Sequence, residues 1–175
     1  MIEFIVYIVI PLFCLLLVIT VFLHLLFRVP YVPSPMRAVR RMIKLAEIKQ
    51  KDVVYDLGCG DGRLLFEAEK KGALAEGFEI APLVYLLAIV CKLVARSKAK
   101  VHFKSMFSVK MHKADVIFCY LLPGALKKLA EKFQKECKKG TKIISHTFRI
   151  QGMEPVKILR KNRRLRLPTV YLYQI

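Results

Sequence analysis

Hydrophobic positions change their rhythm three times along the chain. Phe4 to Leu23 is an unbroken apolar run interrupted only by Pro11 and Thr20, with no charged residue. At 1.5 Å per residue it predicts a helix about 30 Å long, the thickness of the hydrocarbon layer of a bilayer. A cleaved signal peptide would start with positive charge and end in small residues. This run starts at Glu3 with no Lys or Arg before it and ends in Leu23, His24, Leu25, Leu26 and Phe27, so an uncleaved transmembrane anchor is expected. Next comes Val29-Pro-Tyr-Val-Pro-Ser-Pro35, whose prolines exclude helix and predict a stiff, extended connector. Ser34 is then expected to cap, and Pro35 to occupy the first turn of, a helix running to about Ile48. Met36, Val39, Ile43 and Ala46 share one face of it and Arg37, Arg40, Arg41 and Lys44 take the rest, so the apolar stripe should pack on a domain.

From residue 51 onward short apolar runs alternate with helical patterns. Val53, Val54, Tyr55 and Leu57 predict a first strand and Leu64 to Lys71 a helix; Leu74 to Phe78 predicts a second strand, and Pro82 to about Ala95 a long, largely apolar helix. Val101 to Lys104 and Ala114 to Tyr120 read as strands, and Gly124 to Cys137 as a helix ended by Lys138, Lys139 and Gly140. Lys142 to Phe148 is the fifth strand, and two antiparallel strands are expected near Val156 to Leu159 and Thr169 to Gln174. The alternation predicts an α/β fold: a parallel sheet with helices on both faces and a hairpin closing one edge. The division expected is anchor (1–28), connector and first helix (29–50), and sheet domain (51–175).

Charge sharpens this division. The chain carries 31 Lys and Arg against 13 Asp and Glu, a net charge of +18, and within the first 28 residues Glu3 and Arg28 cancel. The surplus therefore belongs to the folded part, a basic body suited to anionic lipid, an acidic protein or nucleic acid. No arginine-rich tail or glycine-arginine repeat supports nucleic acid, and an anchored chain makes anionic lipid the simplest partner. Arg28, Arg37, Arg40, Arg41 and Lys44 crowd one flank of the apolar run, which places the domain on the cytoplasmic or matrix-equivalent face. The basic loop Arg160, Lys161, Arg163, Arg164 and Arg166 is either solvated surface or a membrane or partner contact. Five scattered cysteines without a C-x-x-C pair, and four histidines without zinc spacing, predict reduced thiols and no metal.

The chemistry concentrates at the end of the first strand. Asp56-Leu-Gly-Cys-Gly-Asp-Gly-Arg63 runs from strand into helix with glycines at 58, 60 and 62, which allow positive φ and let a ligand lie against bare main chain. Asp56 and Asp61 would repel phosphate and suit a cationic or hydroxyl-rich ligand. Glu79 closes the second strand about 20 residues later, where a carboxylate accepts ribose hydroxyls. A nucleoside fits better than a nucleotide phosphate.

These residues resemble the cofactor signature of class I S-adenosylmethionine-dependent methyltransferases, whose sheet is Rossmann-like. The resemblance implies S-adenosyl-L-methionine as cofactor, with Asp56, Gly58, Cys59, Gly60, Asp61 and Gly62 at its amino-acid end and Glu79 at its ribose. Val29-Pro-Tyr-Val-Pro33, Ala114-Asp-Val-Ile-Phe-Cys-Tyr-Leu-Leu-Pro123, Gly140-Thr-Lys-Ile-Ile-Ser-His146 with Phe148, and Val170-Tyr-Leu-Tyr173 narrow the resemblance. They are similar to the small membrane-anchored lysine methyltransferases, which include mitochondrial enzymes acting on ATP synthase c-subunit and adenine nucleotide translocase, and prokaryotic relatives. Where that family usually carries an acid for the adenine amino group, this chain has Ser105-Met106-Phe107, and a serine accepts more weakly than a carboxylate.

The resemblance implies transfer of a methyl group to a lysine of a membrane protein. Tyr120, at the end of the fourth strand, is the first candidate to orient the amine, with Tyr31 and His146 behind it, and Tyr120 also borders the cofactor. Alternatives are a methyltransferase acting on RNA, lipid or a small molecule, and a cofactor-binding member without turnover.

Overall fold

The computed structural model describes residues 1–27 and 31–175, apart from the side chains of His24, Leu26 and Phe27. Arg28, Val29 and Pro30 of the expected flank and connector lie outside these residues. The apolar run forms one helix in three parts: α1 (Ile2–Phe4), a π-helical segment (Ile5–Val9) and α2 (Ile10–Phe27). The widened π turn falls just before Pro11, whose ring and missing N–H disrupt the hydrogen-bond ladder four residues back. Described side chains of this helix are exposed except Leu16, Leu23 and Thr20, which share one face.

Residues 31–35 are extended and lead into α3 (Met36–Ala46). Pro35, not Ser34, is the cap residue, and no side chain caps the helix. Ser34 is one residue too early, and its carbonyl accepts from Arg63 Nη1 at 2.8 Å. Ala38, Val39, Met42, Ile43, Leu45 and Ala46 are buried, whereas Met36 is exposed and is not part of the packing stripe. The helix stops at Glu47, which turns left-handed at φ 50.

The remaining elements are β1 (Val53–Leu57), α4 (Arg63–Glu69), β2 (Leu74–Glu79), α5 (Pro82–Val94), β3 (Lys100–Phe103), β4 (Val116–Cys119), α6 (Pro123–Glu136), β5 (Lys142–His146), β6 (Lys157–Leu159) and β7 (Val170–Gln174). They build a seven-stranded sheet in the order β3-β2-β1-β4-β5-β7-β6. β1 to β5 pair in parallel, and β7 lies antiparallel between β5 and β6. Side chains alternate between the two faces: Val54, Val116, Phe118 and Ile144 join one core with α3 and α4, while Tyr55, Leu57, Ile117, Cys119 and Ile143 join the other with Leu126, Leu129 and Phe133 of α6. The expected parallel sheet, covered on both faces and closed by a hairpin, is the observed architecture.

Several expected ends move by one or two residues, and two of the shifts have a visible backbone cause. α6 stops at Glu136 because Cys137 is already extended at ψ 140, so Gly140 is not its terminator; at φ +90 it serves the turn into β5. β5 stops at His146 rather than Phe148 because Thr147 enters the left-handed region at φ 69. Successive strands run outward to one side from β1 (β2, β3) and to the other from β4 (β5), and this switch in strand order between the parallel neighbours β1 and β4 opens a crevice at the carboxyl ends of the strands.

Candidate functional site

A cavity fills the crevice. Its empty space, including the open mouth, is about 930 Å³. Lining residues come from the ends of β1 (Asp56, Gly58, Gly60, Asp61), β2 (Glu79, Ile80), β3 (Lys104 to Phe107) and β4 (Cys119, Tyr120), from Tyr31 to Ser34 of the connector, and from Leu23 of α2.

The glycine loop supplies the floor. Gly60 has φ +57, and a Cβ built there would meet the Tyr31 ring at 2.9 Å, so the loop and the aromatic ring close on one another only because the residue is glycine. Gly77 on β2 is the matching small residue underneath: a Cβ there would run into Leu65 at 2.4 Å and Cys59 at 2.8 Å, which lets α4 sit tightly against the sheet and fixes the loop's height. Gly62 does not line the cavity; it caps α4 in left-handed conformation.

Three carboxylates gather on this floor. Asp56 is 6% exposed, and burial, then Glu79 and Asp61 beside it, push its carboxyl well above the usual carboxylate range. Glu79 accepts at Oε1 from the backbone N–H groups of Ile80 and Ala81, both at 2.9 Å, and at Oε2 from Gly60 at 3.2 Å. With about two lone pairs per oxygen, Oε2 keeps room for one further donor. For Asp61 burial works upward, but Arg63 donates to it through Nε at 2.9 Å and Nη2 at 2.5 Å and holds its carboxyl below the usual range. Burial, with Asp61, raises the Tyr31 phenol, whose O–H donates to that same carboxylate. The site is therefore an anionic spot within a basic body. A ligand with positive charge at one end and hydroxyls in the middle relieves the mutual repulsion of Asp56, Glu79 and Asp61.

The two buried thiols beside the loop, Cys59 and Cys119, are poorly activated as nucleophiles. Burial raises Cys59 well above the ordinary thiol range and pushes Cys119 up to about 12, so both remain protonated near neutral pH.

Ser105 lies on the cavity wall with Met106 and Phe107. Its hydroxyl accepts from the Phe107 N–H at 3.4 Å, a long contact that caps the short 3₁₀ turn Met106–Ser108. Tyr120 borders both this cavity and a second, shallower recess lined by Pro35, His146, Thr147, Lys161, Asn162, Arg163, Arg166, Leu167 and Pro168. His146 belongs to that recess and not to the cavity. Its ring stands edge-on to Tyr120, 4.0 Å between centroids, with Nδ1 3.0 Å from Thr147 Oγ1 and Nε2 buried without a hydrogen-bond partner among the described residues. Burial lowers its pKa to about 4, so it is neutral near pH 7. The fold thus brings Asp56, Gly58, Cys59, Gly60, Asp61, Glu79, Ser105, Met106, Phe107, Tyr31 and Tyr120 around one space and sets His146 behind Tyr120. Leu23 and Lys104 also line the cavity; in the sequence they are only the last residues of an apolar run and of an expected strand, with nothing to mark them as site residues.

The ANTKMT methyltransferase domain matches residues 56–157. A protein-lysine N-methyltransferase of Saccharolobus islandicus is 37% identical over 151 residues, covering 84% of this chain and 94% of the relative. The adenine nucleotide translocase lysine N-methyltransferase of Mus musculus is 30% identical over 135 residues; the match covers 75% of this chain and 58% of that longer protein. Among solved structures, the RNA methyltransferase of Salinibacter ruber in complex with S-adenosyl-L-homocysteine superposes with a TM-score of 0.77 at 31% identity, over 82% of this chain and 94% of that one.

Proposed function

This chain belongs to the ANTKMT methyltransferase domain family, and we propose that it transfers the methyl group of S-adenosylmethionine to a lysine of a membrane protein, from a domain anchored by its N-terminal helix. Membership makes it an S-adenosylmethionine-dependent methyltransferase. The anionic floor fits that cofactor: Asp56 and Asp61 suit its ammonium and sulfonium, Glu79 Oε2 has an open acceptor position for a ribose hydroxyl, and Ser105 stands on the wall for the adenine. When bound, the cofactor supplies an activated methyl, so the chain's residues need only align a neutral nucleophile and exclude water.

The similarity over almost the whole length of the Saccharolobus islandicus protein-lysine N-methyltransferase carries the choice of acceptor. The geometry agrees with it. Holding a lysine neutral at pH 7 against a reference pKa near 10.4 costs about 4 to 5 kcal/mol, and the recess beyond Tyr120 presents Lys161, Arg163 and Arg166, whose charges oppose a second cation. Tyr120 stands where the recess meets the cavity, and its hydroxyl is the group to orient the amine. Neutral His146 packs behind it as a positioning residue.

The anchor reading rests on an exposed helix of 22 residues, Ile2–Leu23, long and apolar enough to cross a bilayer. The cations of α3, Arg37, Arg40, Arg41 and Lys44, support placing the domain on the cytoplasmic or matrix-equivalent face. A second reading, RNA as acceptor, is favoured by the Salinibacter ruber likeness and by the basic body. Full-length enzyme incubated with membranes, cytosol, RNA and tritiated S-adenosylmethionine separates the two. Label on protein, released as methylated lysine on hydrolysis, is expected; label confined to RNA or lipid would overturn the assignment.

A further inference from the structure

Helix α5 (Pro82–Val94) turns an apolar stripe away from the domain. Val84 and Ala88 are buried on its inner side. Leu86, Leu87, Val90, Leu93 and Val94 are exposed, the last two at 70% and 82%, and their spacing sets them on one arc of an α-helix. A helix of 13 residues rises about 20 Å, too short to cross a bilayer.

Two observations indicate what covers the stripe. The first is continuity with the N-terminal helix. Leu83 lies on the same arc, and its backbone N–H, an orphan donor of the first turn of α5, donates to Thr20 Oγ1 of α2 at 3.2 Å. α5 has no side-chain cap of its own, and Leu16, Thr20 and Leu23 are the face of α2 that is withdrawn from solvent. The N-terminal helix therefore rests on one end of the stripe, and Leu86 to Val94 prolong the same surface uncovered. The second is charge. Between Glu79 and Asp115 the sequence contains no acid, and Lys92, Arg96, Lys98 and Lys104 follow or flank the stripe; from neighbouring elements Glu69 accepts from Ser97 and the Lys98 N–H and Glu76 pairs with Lys100 at 3.9 Å, so Lys100 is not one of the rim's cations. Tyr85 and Phe103, ring centroids 5.3 Å apart, sit at its border, and Phe103 is exposed. Apolar arc, aromatic edge and cationic rim are the parts of a helix that lies in a membrane surface.

We propose that α5 is a second membrane-contact element, its stripe seated at the headgroup and acyl-chain boundary of an anionic bilayer beside the anchor. The proposal rests on the reading of Ile2–Leu23 as a membrane anchor and adds that the domain is held at two places. Because Leu23 and Lys104 both line the cavity, two-place seating fixes the cavity mouth at lipid level instead of leaving it to swing on the connector.

The chain contains no tryptophan, so a single introduced one reports its surroundings unambiguously. Full-length Leu93→Trp, with Val94→Trp as a second reporter at another exposed position, is reconstituted in vesicles of phosphatidylcholine and phosphatidylglycerol. The acyl chains are brominated either near the headgroups or near the methyl ends. Phe13→Trp, within the anchor, is the control. Burial roughly 5–10 Å into the boundary predicts loss of about half the Leu93→Trp emission with shallow bromines and less with deep ones. Phe13→Trp quenched strongly while Leu93→Trp and Val94→Trp stay unquenched and open to acrylamide would overturn the inference and leave the anchor intact. Leu93→Trp emission shielded from acrylamide yet indifferent to bromine would also overturn it, since protein then covers the stripe. Loss of quenching at Phe13→Trp itself would remove the anchor and the inference together.

Discussion

Gly60 carries the most specific demand in the site. Its φ of +57 and the Tyr31 ring 2.9 Å from where a Cβ would stand make any side chain costly there. Left-handed backbone costs an L-residue about 1–2 kcal/mol whether or not cofactor is bound, so Gly60→Ala is expected to lower folding stability by about that much in a denaturant melt, and to raise the dissociation constant for S-adenosylmethionine in calorimetry because the Tyr31 ring must move. An unchanged constant would detach the loop from the cofactor. Ser105 makes the opposite prediction. Among the described residues its hydroxyl accepts a long contact from the Phe107 N–H at 3.4 Å, a weak bond whose replacement loses little. A carboxylate on that wall would accept a stronger hydrogen bond from the adenine, and Ser105→Asp is expected to tighten binding by about 1 kcal/mol. Equal or weaker binding in the same calorimetric titration would place position 105 away from the adenine. At this scale the motif residues were readable because glycines at alternate positions between two acids have few other uses. Gly77 was not, because its reason is a neighbour, Leu65, brought close only by the folded α4.

Strand ends show where element reading works and where it stops. The order of strands and helices follows from the alternation of apolar runs, but β5 ends two residues early because Thr147, a β-branched residue with no sequence mark of a turn, takes φ 69. That bend tucks His146 under Tyr120 and buries it at 3% exposure. The consequence is a pH dependence with a definite sign. Folded His146 keeps its proton off down to about pH 4, whereas the unfolded chain takes one up near pH 6.5. Its contribution is therefore complete above pH 6.5 and is lost as pH falls from 6.5 toward 4, by on the order of 3 kcal/mol. Thermal melts of the detergent-solubilised protein between pH 7 and 4.5 should fall more steeply for the wild type than for His146→Gln; parallel curves would show that His146 titrates normally. The stripe on α5 marks the limit of pattern reading. A core helix and a helix lying on lipid have the same composition, and only the exposure of Leu93 and Val94 tells them apart.

Across the whole molecule, a body carrying the entire +18 surplus holds a small anionic cavity and hangs from an apolar helix whose Leu23 reaches the cavity wall. In polyproline geometry the seven residues from 29 to 35 span only about 20 Å, so a domain anchored as proposed would work within about that distance of the bilayer. The apolar N-terminal helix, the strands and the acid-flanked loop were legible because each is written in consecutive residues. The meeting of anchor, connector and loop was not, since it joins Leu23, Tyr31 and Asp61 through space. Methylation of a membrane-protein lysine by an anchored enzyme is the proposal on which the other expectations depend. It is tested most directly by giving full-length protein and the chain lacking residues 1–27 equal amounts of labelled S-adenosylmethionine on intact membranes and on cytosolic extract, and mapping methylated lysines by mass spectrometry. The anchored form is expected to modify lysine on membrane proteins at a rate the truncated form does not reach. Equal labelling of membranes by both forms, or a dominant soluble acceptor for the anchored one, would contradict it.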